Sequence, residues 1–344
     1  MPDEAALTRR ALLAATGSAA ATSAAGCTGV VTPADLAQAS GGVERLAGVV
    51  DAAWLAEHRE QVVVLDARHP EPFRQERIYG ARSVDVEAVT SRRSTPDGLV
   101  PDASAMAGAF GAAGVRPDDD VVVYGSSVGS RVTRLVFALE HLGHRGDIAV
   151  LAGGFESWPG RVGTGDREPE RTEYRARPRP NTIVTRTWIA DRLGSFNAGG
   201  PSLIDVRPPE AYLGARKAAA IDPTNARHGH LPGAVDVHWV GNVQGRTFAK
   251  PADLAGLYFA GAGVDEDGTT VVYGASNVNP TNTYVVLQAL GASDVRLYEG
   301  GFEEWANVPP ARRAAYPVET KTRAVIETAG SVGGGGSGAF SCTG

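Results

Sequence analysis

The residues best able to do chemistry in this chain are two thiols, Cys27 and Cys342, and no other cysteine accompanies them in its 344 residues. That spacing excludes a disulfide scaffold and a metal site of CxxC type. Cys342 stands in Ser331-Val332-Gly333-Gly334-Gly335-Gly336-Ser337-Gly338-Ala339-Phe340-Ser341-Cys342-Thr343-Gly344. A Gly/Ser stretch has too little side chain to pack, so it is expected to behave as a flexible arm with one thiol near its end. About 25 such residues after Pro317 give an r.m.s. reach of roughly 25–30 Å. The reactive form of a cysteine is the thiolate, and no cation neighbours Cys342 in sequence to favour it, while the terminal carboxylate disfavours it. An arm of this kind needs a docking site to become reactive. Three readings stay open: a carrier thiol, an incidental cysteine in a tail, or a disulfide to Cys27.

The elements that would position such a thiol are written twice. In the second half, Ser202-Leu203-Ile204-Asp205-Val206-Arg207 is a short buried-strand run, followed by His228-Gly229-His230-Leu231-Pro232-Gly233-Ala234. A helix is expected from about residue 253 to 262, then the strand Thr270 to Tyr273, a helix from Thr281 to Leu290 and the strand Val295 to Tyr298. Gly300-Gly301-Phe302-Glu303-Glu304-Trp305 closes the unit. The first half repeats the order with Val62 to Arg68, Tyr79-Gly80-Ala81, Val121 to Tyr124, a helix over 131–142, Ile148 to Leu151 and Gly153-Gly154-Phe155-Glu156-Ser157-Trp158. Apolar, β-branched strands alternating with helices imply a parallel sheet covered on both faces.

On these segments both halves resemble rhodanese domains, over roughly 43–160 and 181–313. The resemblance implies an α/β chain of two tandem domains, each a parallel sheet flanked by helices, with 161–180 as linker and 314–344 as a C-terminal tail. It also implies a place for sulfur chemistry. Rhodaneses carry sulfane sulfur on a cysteine at the start of the loop after the Val-Val-Tyr strand, where backbone N–H groups and a helix N-terminus cradle an anion. Here that position is Gly274, in the loop Gly274-Ala275-Ser276-Asn277-Val278-Asn279, and Gly125 in the loop Gly125-Ser126-Ser127-Val128-Gly129-Ser130. The family often lacks the cysteine in its first domain, but its loss from the second is a departure. Serine does not substitute, because a hydroxyl forms no stable persulfide equivalent.

The expected substrate-binding residues are therefore the six from Gly274 to Asn279. The missing side chain at Gly274 is expected to leave room for an incoming thiol. Asp66 with Arg68, and Asp205 with Arg207, are read as ties between sheet and loops. His228, His230 and His238 belong in or near the Gly-His-Leu-Pro-Gly-Ala turn, and no metal or other cofactor is expected. The arm around Cys342 resembles the C-terminal carrier arm of a sulfur-oxidation protein, which holds intermediates on a cysteine among glycines. Sulfurtransfer with Cys342 as candidate catalytic thiol is the leading reading. A silent rhodanese pair acting as a binding module is the alternative.

Residues 1–27 read as an address. Arg9-Arg10 precede an Ala-rich apolar run, and Ala24-Ala25-Gly26-Cys27 resembles a lipobox, with Ala24 where the pattern prefers Leu. Lipidation at Cys27, an extracytoplasmic location at the membrane and a tether over 28–42 are the expectations. A net charge of −6 with no basic stripe argues against nucleic acid. The expected partners are a small sulfur donor, such as thiosulfate or a persulfide, and a thiol acceptor.

Overall fold

The computed structural model describes residues 46–91, 99–166, 168–214, 218–276 and 278–320. Cys27, Asn277, Cys342, the tether and the Gly-rich arm lie outside them. Five strands form the first sheet: β1 (Val49–Val50), β2 (Val63–Asp66), β3 (Arg82–Ser83), β4 (Val121–Tyr124) and β5 (Ile148–Leu151). Five more form the second: β6 (Ile183–Val184), β7 (Ser202–Asp205), β8 (Val235–Asp236), β9 (Thr269–Tyr273) and β10 (Asp294–Tyr298). Their orders are β1-β5-β4-β2-β3 and β6-β10-β9-β7-β8, the same arrangement twice, and every pairing is parallel. The central strand β4, Val-Val-Val-Tyr, is buried at all four positions because helices cover both faces of the sheet. The two-domain α/β reading holds.

Four helices matter for the site: α1 (Ala103–Ala112), α2 (Ser130–His141), α3 (Pro280–Ala289) and α4 (Gly301–Ala306). The helix expected over 253–262 begins as an α-helix at Pro251–Ala255 and widens into a π-turn at Gly256–Gly261. Helices α2 and α3 meet at the domain boundary, where one hydrophobic cluster takes residues from both domains, including Leu65, Phe137, Ile204 and Tyr284. Phe137 packs edge-on against Tyr284 with ring centroids 5.1 Å apart, and the Tyr284 hydroxyl donates to Glu140 at 2.8 Å. Thr133 and Thr281 hydroxyls bond each other at 2.9 Å. The domains have separate sheets and a shared core.

The stretch after Arg161, expected as a linker, is a strap stitched to the first domain. Val162–Gly163 pairs antiparallel with Arg77–Ile78, Thr172 N–H donates to Gly111 at the end of α1 (2.9 Å), and Tyr174 is buried. Its prolines break regular structure after Val162–Gly163, so backbone groups of the strap find partners on the domain surface instead. The expected tail likewise begins later than residue 314. Tyr316 is buried, the Trp305 indole donates to Pro317 O at 2.7 Å, and His230 and Glu319 exchange backbone hydrogen bonds at 2.8 and 2.9 Å.

Candidate active-site loop

Each central strand ends in a buried tyrosine and passes through a glycine into a loop and then a helix. In the second domain the loop carbonyls are clamped from behind: Gly274 O accepts from Phe302 N–H at 2.8 Å, and Ala275 O from Glu303 N–H at 3.2 Å. Gly301 makes this approach possible, with φ of +57° and a hypothetical Cβ only 2.7 Å from Gly274 O. Only glycine combines that backbone with that closeness. The first domain repeats the device through Phe155 N–H on Gly125 O (2.8 Å) and Gly154, with φ of +63°. The Gly-Gly-Phe segment is thus a loop clamp, a role the sequence pattern did not disclose.

With Gly274 O and Ala275 O turned to the clamp, the N–H groups of Ala275, Ser276, Val278 and Asn279 meet no acceptor among the described residues. They precede the N-terminus of α3, whose dipole adds partial positive charge there. The loop contains no ionisable side chain, so its attraction for an anion is a backbone property. Gly274 is buried and Asn279 exposed, which gives the loop an inner and an outer end.

The space at Gly274 is not free, contrary to expectation. A Cβ there would lie 3.0 Å from Cγ of Pro280 and 3.2 Å from Ser276 O. Pro280 is buried at the first helical position, and its ring also removes one N–H donor from the cradle. The loop therefore has no hollow beside Gly274 in the direction of a side chain. The signal was legible as a proline at the start of α3.

The first loop is anchored at Val128. Val128 is fully buried, its N–H donates to Arg246 O at 3.2 Å and its carbonyl accepts from Asn282 Nδ2 at 2.8 Å. Asn282 belongs to a buried polar set with Asn242 (3.1 Å), and Tyr258 from the π-turn donates to Asn242 at 2.7 Å. Both partners of Val128 come from the second domain.

Beneath each loop the Asp/Arg pair is structural. Arg207 donates from Nε and Nη2 to both Asp205 oxygens, reaches Gly229 O at 2.6 Å and stacks on Phe302 at 3.8 Å. Arg68 does the same with Asp66, Glu76 O (2.6 Å) and Phe155 (4.1 Å). Burial alone would depress the Arg207 pKa, and Asp205 more than offsets that, so the guanidinium stays charged. Burial also pushes the Tyr124 and Tyr273 hydroxyls well above the usual phenol range, so neither acts as an acid near neutrality.

His230 is buried against the Tyr212 ring at 3.7 Å, with Nδ1 2.8 Å from Tyr212 O, and burial lowers its pKa. Burial lowers that of His238 as well. Among the described residues no three or more His, Cys, Asp or Glu side chains cluster as metal ligands.

The Rhodanese-like domain family matches residues 51–160 and 185–308. The chain belongs to the rhodanese family. This rhodanese is 28% identical over 255 residues to a thiosulfate sulfurtransferase of Pseudomonas aeruginosa, covering 72% of this chain and 89% of the relative. It is also 28% identical to the 3-mercaptopyruvate sulfurtransferase of Escherichia coli K12, covering 78% and 97%. A crystal structure of a 3-mercaptopyruvate sulfotransferase from Escherichia coli superposes with a TM-score of 0.62 at 26% identity, over 74% of this chain and 98% of that one. An anaerobic ergothioneine biosynthesis enzyme of Chlorobium limicola, 19% identical over 79% of this chain and 70% of its own, shares the fold with a TM-score of 0.68. These relatives place the rhodanese among the sulfurtransferases.

Proposed function

We propose that this rhodanese handles sulfane sulfur outside the cytoplasmic membrane, with Cys342 as the sulfur-carrying thiol and the loop Gly274–Asn279 as its docking cradle. The observation that carries the reading is the set of loop N–H groups before α3 that meet no acceptor among the described residues, in a domain whose own loop has no thiol. A thiolate over those donors gains stabilisation that the arm alone does not provide. With thiosulfate as donor, the Cys342 thiolate attacks the outer sulfur, the S–S bond of thiosulfate breaks and sulfite leaves with the electron pair. An acceptor thiolate then takes the outer sulfur of the Cys342 persulfide and returns Cys342 to thiolate. Arg9-Arg10, the Ala-rich run and Cys27 support export and lipid anchoring. Mass spectrometry of the membrane fraction should find Cys27 acylated at a processed N-terminus; an intact Met1 would overturn that part.

Pro280 favours a second reading, a silent pair that binds a partner, because it fills space and removes a donor. The two separate on persulfide labelling of the whole protein beside a peptide covering Ser331 to Gly344. Faster labelling of Cys342 in the whole protein supports transfer, and equal rates favour the binding module.

A further inference from the structure

The strap that joins the two domains is fastened by two histidines with opposite proton polarity. His144, buried after α2, places Nε2 2.7 Å from the Asp119 carbonyl and Nδ1 2.9 Å from the Tyr174 hydroxyl of the strap. A carbonyl only accepts, so Nε2 carries the proton and Nδ1 takes the hydroxyl of Tyr174. His141 does the reverse. The Thr182 hydroxyl donates to Arg179 O at 2.9 Å and so must accept from His141 Nδ1–H at 2.7 Å. A second proton on His141 leaves that bond as it is; a second proton on His144 reverses the other, so that Nδ1–H donates to the Tyr174 oxygen. The Tyr174 hydroxyl proton then loses its acceptor in a buried place, and a charge is put beneath the strap.

We propose that the strap over α1 is an acid-releasable clasp between the domains, with His144 as its proton sensor. The strap runs from Tyr174 through Arg177 N–H on Leu142 O (2.8 Å) and Arg179 N–H on His141 O (2.8 Å) into β6, the edge strand of the second sheet. Loosening it therefore slackens the connection between the domains as well as the cover on α1. The charged groups around His144 act in both directions. Asp119 and Asp120 favour the imidazolium, while Arg145 opposes it; Arg145 is itself paired with Asp118 at 3.6 Å, and Arg179 donates to His144 O at 3.3 Å. Burial is the largest influence and holds His144 below its ordinary pKa, so the closed strap selects the neutral ring. The sign follows from linkage: the clasp is complete above the pKa of a free histidine and weakens as pH falls through that value and then through the lower one of the closed state.

Burial and Arg134 also depress His141, so the test must separate the two rings. Hydrogen exchange of the strap amides of Thr172, Arg177 and Arg179, corrected for intrinsic rate, is compared at about pH 7.5 and about pH 5.5 in the full chain. Opening should rise at least about threefold in the acid sample. His144→Gln offers an amide that can donate to Asp119 O and accept from Tyr174, without a titration, and its strap should show a flat profile. A pH-independent strap in the native protein, or an unchanged pH dependence in His144→Gln, overturns the proposal. Proton NMR titration of His144 in the native chain needs no variant; a pKa at or above that of free histidine would also overturn it.

Discussion

After Tyr124 and after Tyr273 the chain makes the same move, through a glycine, around a loop clamped by Gly-Gly-Phe, and into a helix at the domain boundary. The first loop is tied to the other domain at one residue: Arg246 O accepts the Val128 N–H, Asn282 donates to its carbonyl, and the side chain enters the shared core. Otherwise the two loops are alike: the N–H groups of Ser126, Ser127, Gly129 and Ser130, like those of Ala275, Ser276, Val278 and Asn279, meet no acceptor among the described residues, and the second loop ends at an exposed asparagine. The difference shows how one repeated unit gains an anchor by docking on its twin. The clamp holds both loops from behind, and contacts made across the boundary fix the first at Val128.

The comparison can be broken most severely at the thiol. Cys342→Ser should reduce persulfide labelling and sulfur transfer from thiosulfate to background; retained transfer would remove Cys342 from the mechanism. The next test moves the thiol into the loop. Gly274→Cys alone should gain little, because its Cβ meets Pro280 at 3.0 Å, whereas Gly274→Cys with Pro280→Ala restores both space and an N–H donor. We expect the double variant to exceed the single by about tenfold or more in thiosulfate sulfurtransferase rate, the gain of one stabilising interaction with a charged sulfur. Equal rates would show that the cradle geometry has drifted.

The clamp allows a matched pair. Gly301→Ala and Gly154→Ala should each cost about 1–3 kcal/mol in urea unfolding, from strained φ and backbone collision. Only Gly301→Ala should also slow labelling of Cys342, and an equal effect from Gly154→Ala would erase the division of roles. The smallest contrast is between the two loop valines. Val128→Ala should cost about 1–2 kcal/mol as a core truncation, and Val278→Ala, half-buried, about 0.5 kcal/mol or less. Equal costs would mean Val278 is packed as firmly as Val128.

Much of this organisation could be read without coordinates. The repeated Val-Val-Tyr and Gly-Gly-Phe segments located both loops, and the six strands expected are found within about two residues, while the two-residue strands β1, β3, β6 and β8 were not expected. The role of the clamp glycines was not legible, because a positive φ and a carbonyl 2.7 Å away depend on how β10 and α4 sit behind the loop. Pro280 was visible as a helix start, yet its contact with Gly274 depends on the fold of the loop. The Arg- and Pro-rich stretch after Arg161 gave a linker by composition, and composition does not show that Tyr174 is buried beside His144 at 2.9 Å.

The sequence by itself determined the family, the tandem α/β plan, the place of both loops and the absence of a cysteine from them, because these rest on residue identity and on periods of a few positions. Tertiary structure alone decided how the first loop is anchored. The partners that seal Val128 are Arg246 and Asn282, more than a hundred positions away, and hydrogen bonds of that span follow from the docking of α2 on α3 rather than from any local pattern.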